Sequence, residues 1–348
     1  MVTANLNHDT TLQQDTKMLE LNHFPRHELI PHPTSITKLK RLSAILGGPN
    51  IYVKRDDTNF LGGGGSKLRK LEFYLGAARQ AGCDTIIAMG AMQSNHARLS
   101  AAAALSAGFA CEIILGRKVP RDDSDYLHNG NLLLDRIMGV TIHETDASSD
   151  LMALALARKA ELEIQGKKVY IVPFGGSCAL GSLGYVYCAF EIAAQEQSMG
   201  VAFDSIVLAN GSSGTHAGLL AGCELSGSTA KVIAYNVLKP VADTLPVTSQ
   251  ITQEIFDLLQ SGKLIDESKI YLDDSYLGAG YGIPTDSMRE AVRLMAHEEG
   301  LFLDPVYSGK AFAGLVADIK QGKFAGQKNV LFMMTGGAPG LYAYQSEF

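Results

Sequence analysis

The sequence has no block of lysine or arginine, no Cys-x-x-Cys pair and neither common nucleotide-phosphate signature. Each absence removes a class of function. With 30 basic against 36 acidic residues the net charge is −6, which offers no footprint for nucleic acid. The five cysteines (Cys83, Cys111, Cys178, Cys188, Cys223) are an odd, scattered set. They argue against a disulfide framework or a metal site and for small core thiols in a reducing, cytoplasmic setting. The start, MVTANLNHDTTLQQDTK, lacks the basic end and apolar centre of a signal peptide and reads as a frayed arm over residues 1–20. The most apolar stretch, Ser100 to Gly116, is too short to span a membrane and is broken by Gly108, so no membrane partner is expected.

What is present is an ordinary packed composition: 348 residues, 46% apolar and 19% charged, enough for one large or two connected α/β domains. Short β-branched runs (IYVKR, TIIAMG, CEIILG, VTIHET, VYIV) alternate with longer segments such as KLRKLEFYLGAARQAG, SNHARLSAAAALSAG and the stretch Leu151 to Gly166. That alternation predicts parallel sheets with helices on both faces. It continues with a helix from Leu183 to Gln197, the strand DSIVLAN and a helix near Thr215 to Leu225. The strand AKVIAYNV, a helix from Ala242 to Ser261 and the strand NVLFMM complete it. Four strands end in small-residue loops: MGAMQSNHA, FGGSCALG, NGSSGTHAG and TGGAPG. Ligands of open α/β sheets lie beyond the carboxyl ends of the strands, so these loops are expected to meet at one site.

Three stretches carry candidate chemistry. In NGSSGTHAG, Ser213, Gly214, Thr215 and His216 sit where helix N-terminal amides can cradle a phosphate, although an ordinary capped βα turn has the same spacing. In GGGGSKLRKLEF, four glycines precede Lys67 and Lys70, one helical turn apart. A buried lysine beside another cation becomes a nucleophilic amine, and its neighbour can pair with an anion; a solvated basic helix start fits the pattern too. In QSNHAR, Ser94 and Asn95 either cap a helix or donate to a ligand, and His96 alone is an ordinary packed residue. Tyr281 in GAGYGIPT and Tyr307 in DPVYSGKAFAGL lie in Gly-flanked loops, where a tyrosine is more often structural than chemical.

Taken in order, FPRHELIPHPTSI, KRDD, GGGGSKLRKLEF, MGAMQSNHAR, NGSSGTHAG, AGYGIPT, DPVYSGKAFAGL and TGGAPGLYAY resemble the D-cysteine desulfhydrase and 1-aminocyclopropane-1-carboxylate deaminase family of pyridoxal-phosphate enzymes. The resemblance covers nearly the whole chain. It implies the tryptophan-synthase-β-like architecture, fold type II. Two doubly wound, mostly parallel-sheet domains would hold the cofactor between them: a large one from 1–67 and 175–348 and a smaller inserted one from 68–174, able to close. It implies that Lys67 is covalently linked to the cofactor, that Lys70, Ser213, Gly214, Thr215 and His216 hold the phosphate, and that the glycine run makes room for the ring. Asn95 would bond the phenolic oxygen and Thr335 meet the pyridine nitrogen. Ser94, Asn95, His96, Tyr281 and Tyr307 would face a small amino-acid substrate, with Lys67 or a tyrosine moving the Cα proton. A homodimer is implied as well.

Two departures bear on the activity. Ser66 and Leu68 flank Lys67 where the family has asparagine and threonine, and Ser308 follows Tyr307 where its deaminases carry a glutamate near the pyridine nitrogen. Without that carboxylate the ring is a weaker electron sink. The expectation is therefore β-elimination from D-cysteine, giving pyruvate, sulfide and ammonia. The cyclopropane deaminase, L-cysteate sulfo-lyase and a non-catalytic phosphometabolite-binding protein are the alternatives.

Overall fold

The computed structural model describes residues 21–348; the expected N-terminal arm, residues 1–20, lies outside the described residues. The chain opens with β1 (Ile36–Lys38), α1 (Lys40–Leu46), β2 (Asn50–Arg55), α2 (Lys67–Gln80), β3 (Thr85–Ala91), α3 (Asn95–Ser106) and β4 (Ala110–Gly116). It continues through α4 (Ser124–His128), α5 (Gly130–Ile137), β5 (Thr141–Thr145), α6 (Leu151–Ile164), β6 (Val169–Ile171), α7 (Ala179–Met199), β7 (Ser205–Asn210) and α8 (Gly214–Ser226). The last part is β8 (Lys231–Asn236), α9 (Val241–Leu258), β9 (Tyr271–Asp273), α10 (Asp286–Glu299), α11 (Ser308–Lys320), β10 (Asn329–Met334) and α12 (Pro339–Ala343).

The strands form two sheets, of order β1-β2-β10-β7-β8-β9 and β5-β4-β3-β6. Every pairing is parallel except β1 with β2, as the alternation of strand and helix predicts. Both sheets are covered on both faces. In β3, Ile86 and Ala88 pack with Leu71, Leu75, Ala97 and Ala101 of α2 and α3, whereas Ile87 and Met89 pack with Leu151, Ala155 and Leu162 of α6. In the larger sheet Val53, Val207 and Phe332 meet Phe312 and Met295, while Ile206 and Leu208 on the other face meet Tyr185 and Leu219. This period of two is what a strand buried on both sides requires.

Among the described residues, α7 is the one helix long and apolar enough to cross a membrane, with a mean hydropathy of 1.3 over its best window, but two thirds of that window is buried inside the protein, as in a core helix. α7 crosses α2 closely: a Cβ on Gly184 would collide with the Arg69 carbonyl, and one on Gly181 would stand 2.6 Å from the Tyr74 ring. α2 thus packs Leu68 and Leu71 into the smaller sheet's core while Arg69 reaches across to Asp56, just after β2, and Glu191 of α7.

Candidate active site

The loops after β3, β6, β7 and β10 converge, as expected from the strand ends, on a cleft enclosing about 820 Å³ with its open mouth included. Lys67, Ser94, Asn95, His96, Ser213, Thr215, Tyr281, Tyr307 and Thr335 line it. Lys70, Gly214 and His216 stand behind this wall.

The four glycines do not act as the sequence reading expects. All have positive φ, from +59° to +136°, which suits glycine. A Cβ on Gly62 or Gly64 would strike Ala102 or the Asp57 carbonyl, and one on Gly63 would lie 2.9 Å from the Arg98 guanidinium. Only Gly65 lines the cleft. The run therefore fits its backbone against neighbouring protein, and Arg98 grips it by donating to the carbonyls of Gly62 (2.7 Å) and Gly64 (3.0 Å). Leu68 belongs to the smaller sheet's core, so the replacement of a polar side chain there takes nothing from the cleft. Ser66 does line the cleft, and its amide is fixed to the Thr335 carbonyl at 2.9 Å.

Lys67 opens α2, half-buried at the cleft wall. Burial of its amine lowers the pKa to about 8, partly offset by the Asp304 charge. Lys70, one turn on, is fully buried and is pushed well below the usual lysine range by burial and then by Lys67. Its ammonium donates to Gly175 O (3.3 Å) and Ser177 Oγ (3.2 Å). Ser177 Oγ also accepts from the Gly214 amide at 3.3 Å and pairs with Ser212 Oγ at 2.7 Å. Ser177 and Ser212 are site residues that the sequence reading did not assign; the small-residue loops were its only signal.

Ser213 caps α8 in the left-handed region, φ +65°, a strained choice for a serine, and its buried hydroxyl has no hydrogen-bond partner. The buried Lys70, a helix N-terminus and an orphaned hydroxyl fit a phosphate group. The His216 side chain is turned away, with Nε2 3.3 Å from the Val232 carbonyl of β8, so only its backbone amide remains on the phosphate side. Burial holds it neutral, with a pKa of about 4.

Ser94 is the N-cap of α3, its Oγ accepting from Ala97 N at 3.1 Å, which leaves its hydroxyl proton free to donate. Asn95 Oδ1 accepts from Asn131 Nδ2 at 3.0 Å, so its own amide NH₂ is available to an oxygen in the cleft. His96 is buried; burial and then the charges of Lys67 and Lys70 lower its pKa to about 3. As a neutral imidazole it offers no charge to a carboxylate. Opposite stand Tyr281 and Tyr307, their hydroxyls 2.6 Å apart and their rings edge to face at 5.8 Å. Burial raises the pKa of both phenols.

Ser308 is buried beside Asp304. Its hydroxyl donates to Asp304 Oδ1 at 2.6 Å and accepts from the Asp304 amide at 2.9 Å, so it is fully engaged away from the cleft. Thr335 is left as the hydroxyl for a ring nitrogen. Among the described residues lining the cleft, none is aspartate or glutamate.

A pyridoxal-phosphate dependent enzyme model matches residues 28–336. The chain belongs to this family. Within it, the chain is 42% identical to D-cysteine desulfhydrase of Serratia proteamaculans over 328 residues, 94% of this chain and 98% of that protein. Identity to D-cysteine desulfhydrase of Klebsiella pneumoniae is 44% over 324 residues, 93% and 97% of the two chains. The crystal structure of an ACC deaminase homologue superposes with a TM-score of 0.87 at 36% identity, covering 95% of this chain and 97% of that one. The protein is thus a pyridoxal-phosphate enzyme of the fold-type-II architecture that its two parallel sheets display.

Proposed function

We propose that the chain is a D-cysteine desulfhydrase, converting D-cysteine and water to pyruvate, hydrogen sulfide and ammonia. The observation that carries this reading is the cleft without a carboxylate, next to an amine poised near neutrality and a pair of protonated phenols. The names of the relatives, matched over nearly the whole chain, support it.

Pyridoxal phosphate, when bound, supplies an electron sink for the pair left at Cα. Lys67 would carry it, and Lys70, the amides at the start of α8, and Ser177, Ser212 and Ser213 would hold its phosphate. Ser94 and Asn95 orient oxygen atoms through their free donors. With a pKa near 8, Lys67 accepts the Cα proton more readily than either phenol, whose raised pKa keeps it protonated and so unable to act as a base. The Tyr281–Tyr307 pair is then the proton donor to the departing sulfur. Elimination breaks the Cβ–S bond, and hydrolysis of the released unsaturated amine gives pyruvate and ammonia. The absence of a carboxylate that would keep a ring nitrogen protonated favours this prompt departure over cyclopropane ring opening.

Turnover of D-cysteine, L-cysteine and the cyclopropane amino acid separates the readings: sulfide and pyruvate from the D-enantiomer are expected. Tyr307→Phe should lower kcat by about 10²–10⁴-fold with a smaller change in KM. The structural likeness to the deaminase homologue makes 2-oxobutyrate from the cyclopropane substrate the competing outcome. We further propose a cytoplasmic homodimer, consistent with five free cysteines; light scattering should give twice the 37.2 kDa chain mass.

A further inference from the structure

Lys310 lies on α11, three residues after Tyr307, and is completely buried. Among the described residues it has no ion-pair partner; its ammonium donates to two backbone carbonyls, Leu277 O at 2.7 Å and Gly280 O at 2.9 Å. Those carbonyls belong to the loop that carries Tyr281. That loop contains Gly278, Gly280 and Gly282 at φ +69°, +151° and +71°, a backbone with little stiffness of its own. Its other side-chain anchor is Tyr344, whose hydroxyl donates to Gly282 O at 2.9 Å. Tyr281 is therefore suspended between carbonyls held from α11 and from the C-terminal segment.

The other tyrosine is fixed from the same helix. Asp304, buried before α11, accepts from the amides of Val306 (2.9 Å), Tyr307 (2.8 Å) and Ser308 (2.7 Å). α11 and its leading turn thus set the backbone of one phenol and grip the loop of the other, and the hydroxyls meet at 2.6 Å. A buried ammonium satisfied only by carbonyls is an unfavourable choice for stability alone. Burial lowers its pKa to about 8, with the Asp304 charge opposing.

We infer that Lys310 is a positioning residue for the reaction: by clamping Leu277 O and Gly280 O it holds the Tyr281 hydroxyl in register with that of Tyr307. The inference rests on the proposed role of the tyrosine pair. A displacement of about 1 Å in a reacting group lowers rate by roughly a hundredfold.

The test uses the cofactor-loaded protein with Lys310→Met, and Lys310→Gln, which retains N–H donors, alongside Tyr281→Phe. Lys310→Met is expected to lower kcat for D-cysteine about 10- to 100-fold while KM stays within about threefold and the bound-cofactor absorption keeps its position. Hydrogen exchange should accelerate over residues 277–283 and not in α11, with or without cofactor, and Lys310→Gln should recover part of kcat. Wild-type kcat in Lys310→Met alongside a crippled Tyr281→Phe overturns this inference and leaves the tyrosine role standing. Wild-type kcat in Tyr281→Phe overturns the tyrosine role itself. Should Lys310→Met fail to fold, exchange in the wild type decides: loop amides that exchange as fast as an unanchored surface loop contradict the clamp.

Discussion

At the scale of the residue, the Lys67 amine places the folded chain under strain that the bound cofactor relieves. Its pKa falls from 10.5 to about 8, so between those values the unfolded chain binds the extra proton and stability rises with pH. The penalty is fully present below pH 8 and amounts to at most about 3 kcal/mol, lessened by water in the cleft. Cofactor-free Lys67→Met should therefore be more stable than the cofactor-free wild type at pH 7, with the advantage fading towards pH 10.5. Urea denaturation at both pH values checks this, and a difference that does not shrink with pH contradicts it. Lys67, Asn95, Thr335 and the two tyrosines were legible in the sequence because each stands in an ordered string of motifs. Ser177 and Ser212 were not, since a serine's role depends on which loop folds beside it. The engagement of Ser308 by Asp304, four residues earlier, was equally invisible: a hydroxyl and a carboxylate at that spacing can face the same way or not, and only the turn decides.

At the scale of the element, Gly214 is a tight point of the phosphate cradle. A Cβ there would stand 2.6 Å from Ser177 Oγ and 2.9 Å from Lys70 Nζ. Gly214→Ala should weaken cofactor affinity at least about tenfold, roughly 1.4 kcal/mol, while kcat at saturating cofactor changes less. Absorption titration measures the first and steady-state kinetics the second; unchanged affinity would mean that the cradle lies elsewhere. The central strands and most long helices follow directly from hydrophobic runs, and α7 and α9 begin and end within a few residues of expectation, whereas α10 was not read from the sequence. The three-residue strands β1 and β9 were missed because so short a run carries too little alternation to register. The glycine run was seen but misread: its role is contact with Ala102, Arg98 and Asp57, which only the tertiary fold reveals.

At the scale of the whole molecule, both sheets depend on α2, and Arg69 is its tie to the larger one. The guanidinium donates to Asp56 (2.8 and 2.9 Å) and Glu191 (2.9 Å), and Lys54 pairs with Glu191 as well. Removing one partner of a buried pair leaves the other charge uncompensated, so Arg69→Met should lower stability by about 3–5 kcal/mol. Denaturant midpoints test this, and a loss below about 1 kcal/mol would show that the network does not bind α2 to the larger sheet. That convergence of four loops from two sheets onto one amine is also the basis of the functional account. The direct measurement is borohydride reduction of the purified, cofactor-loaded protein followed by peptide mass spectrometry. The account predicts a pyridoxyl tag on Lys67, lost in Lys67→Ala; a tag on Lys70, on Lys310 or on no lysine at all would contradict it.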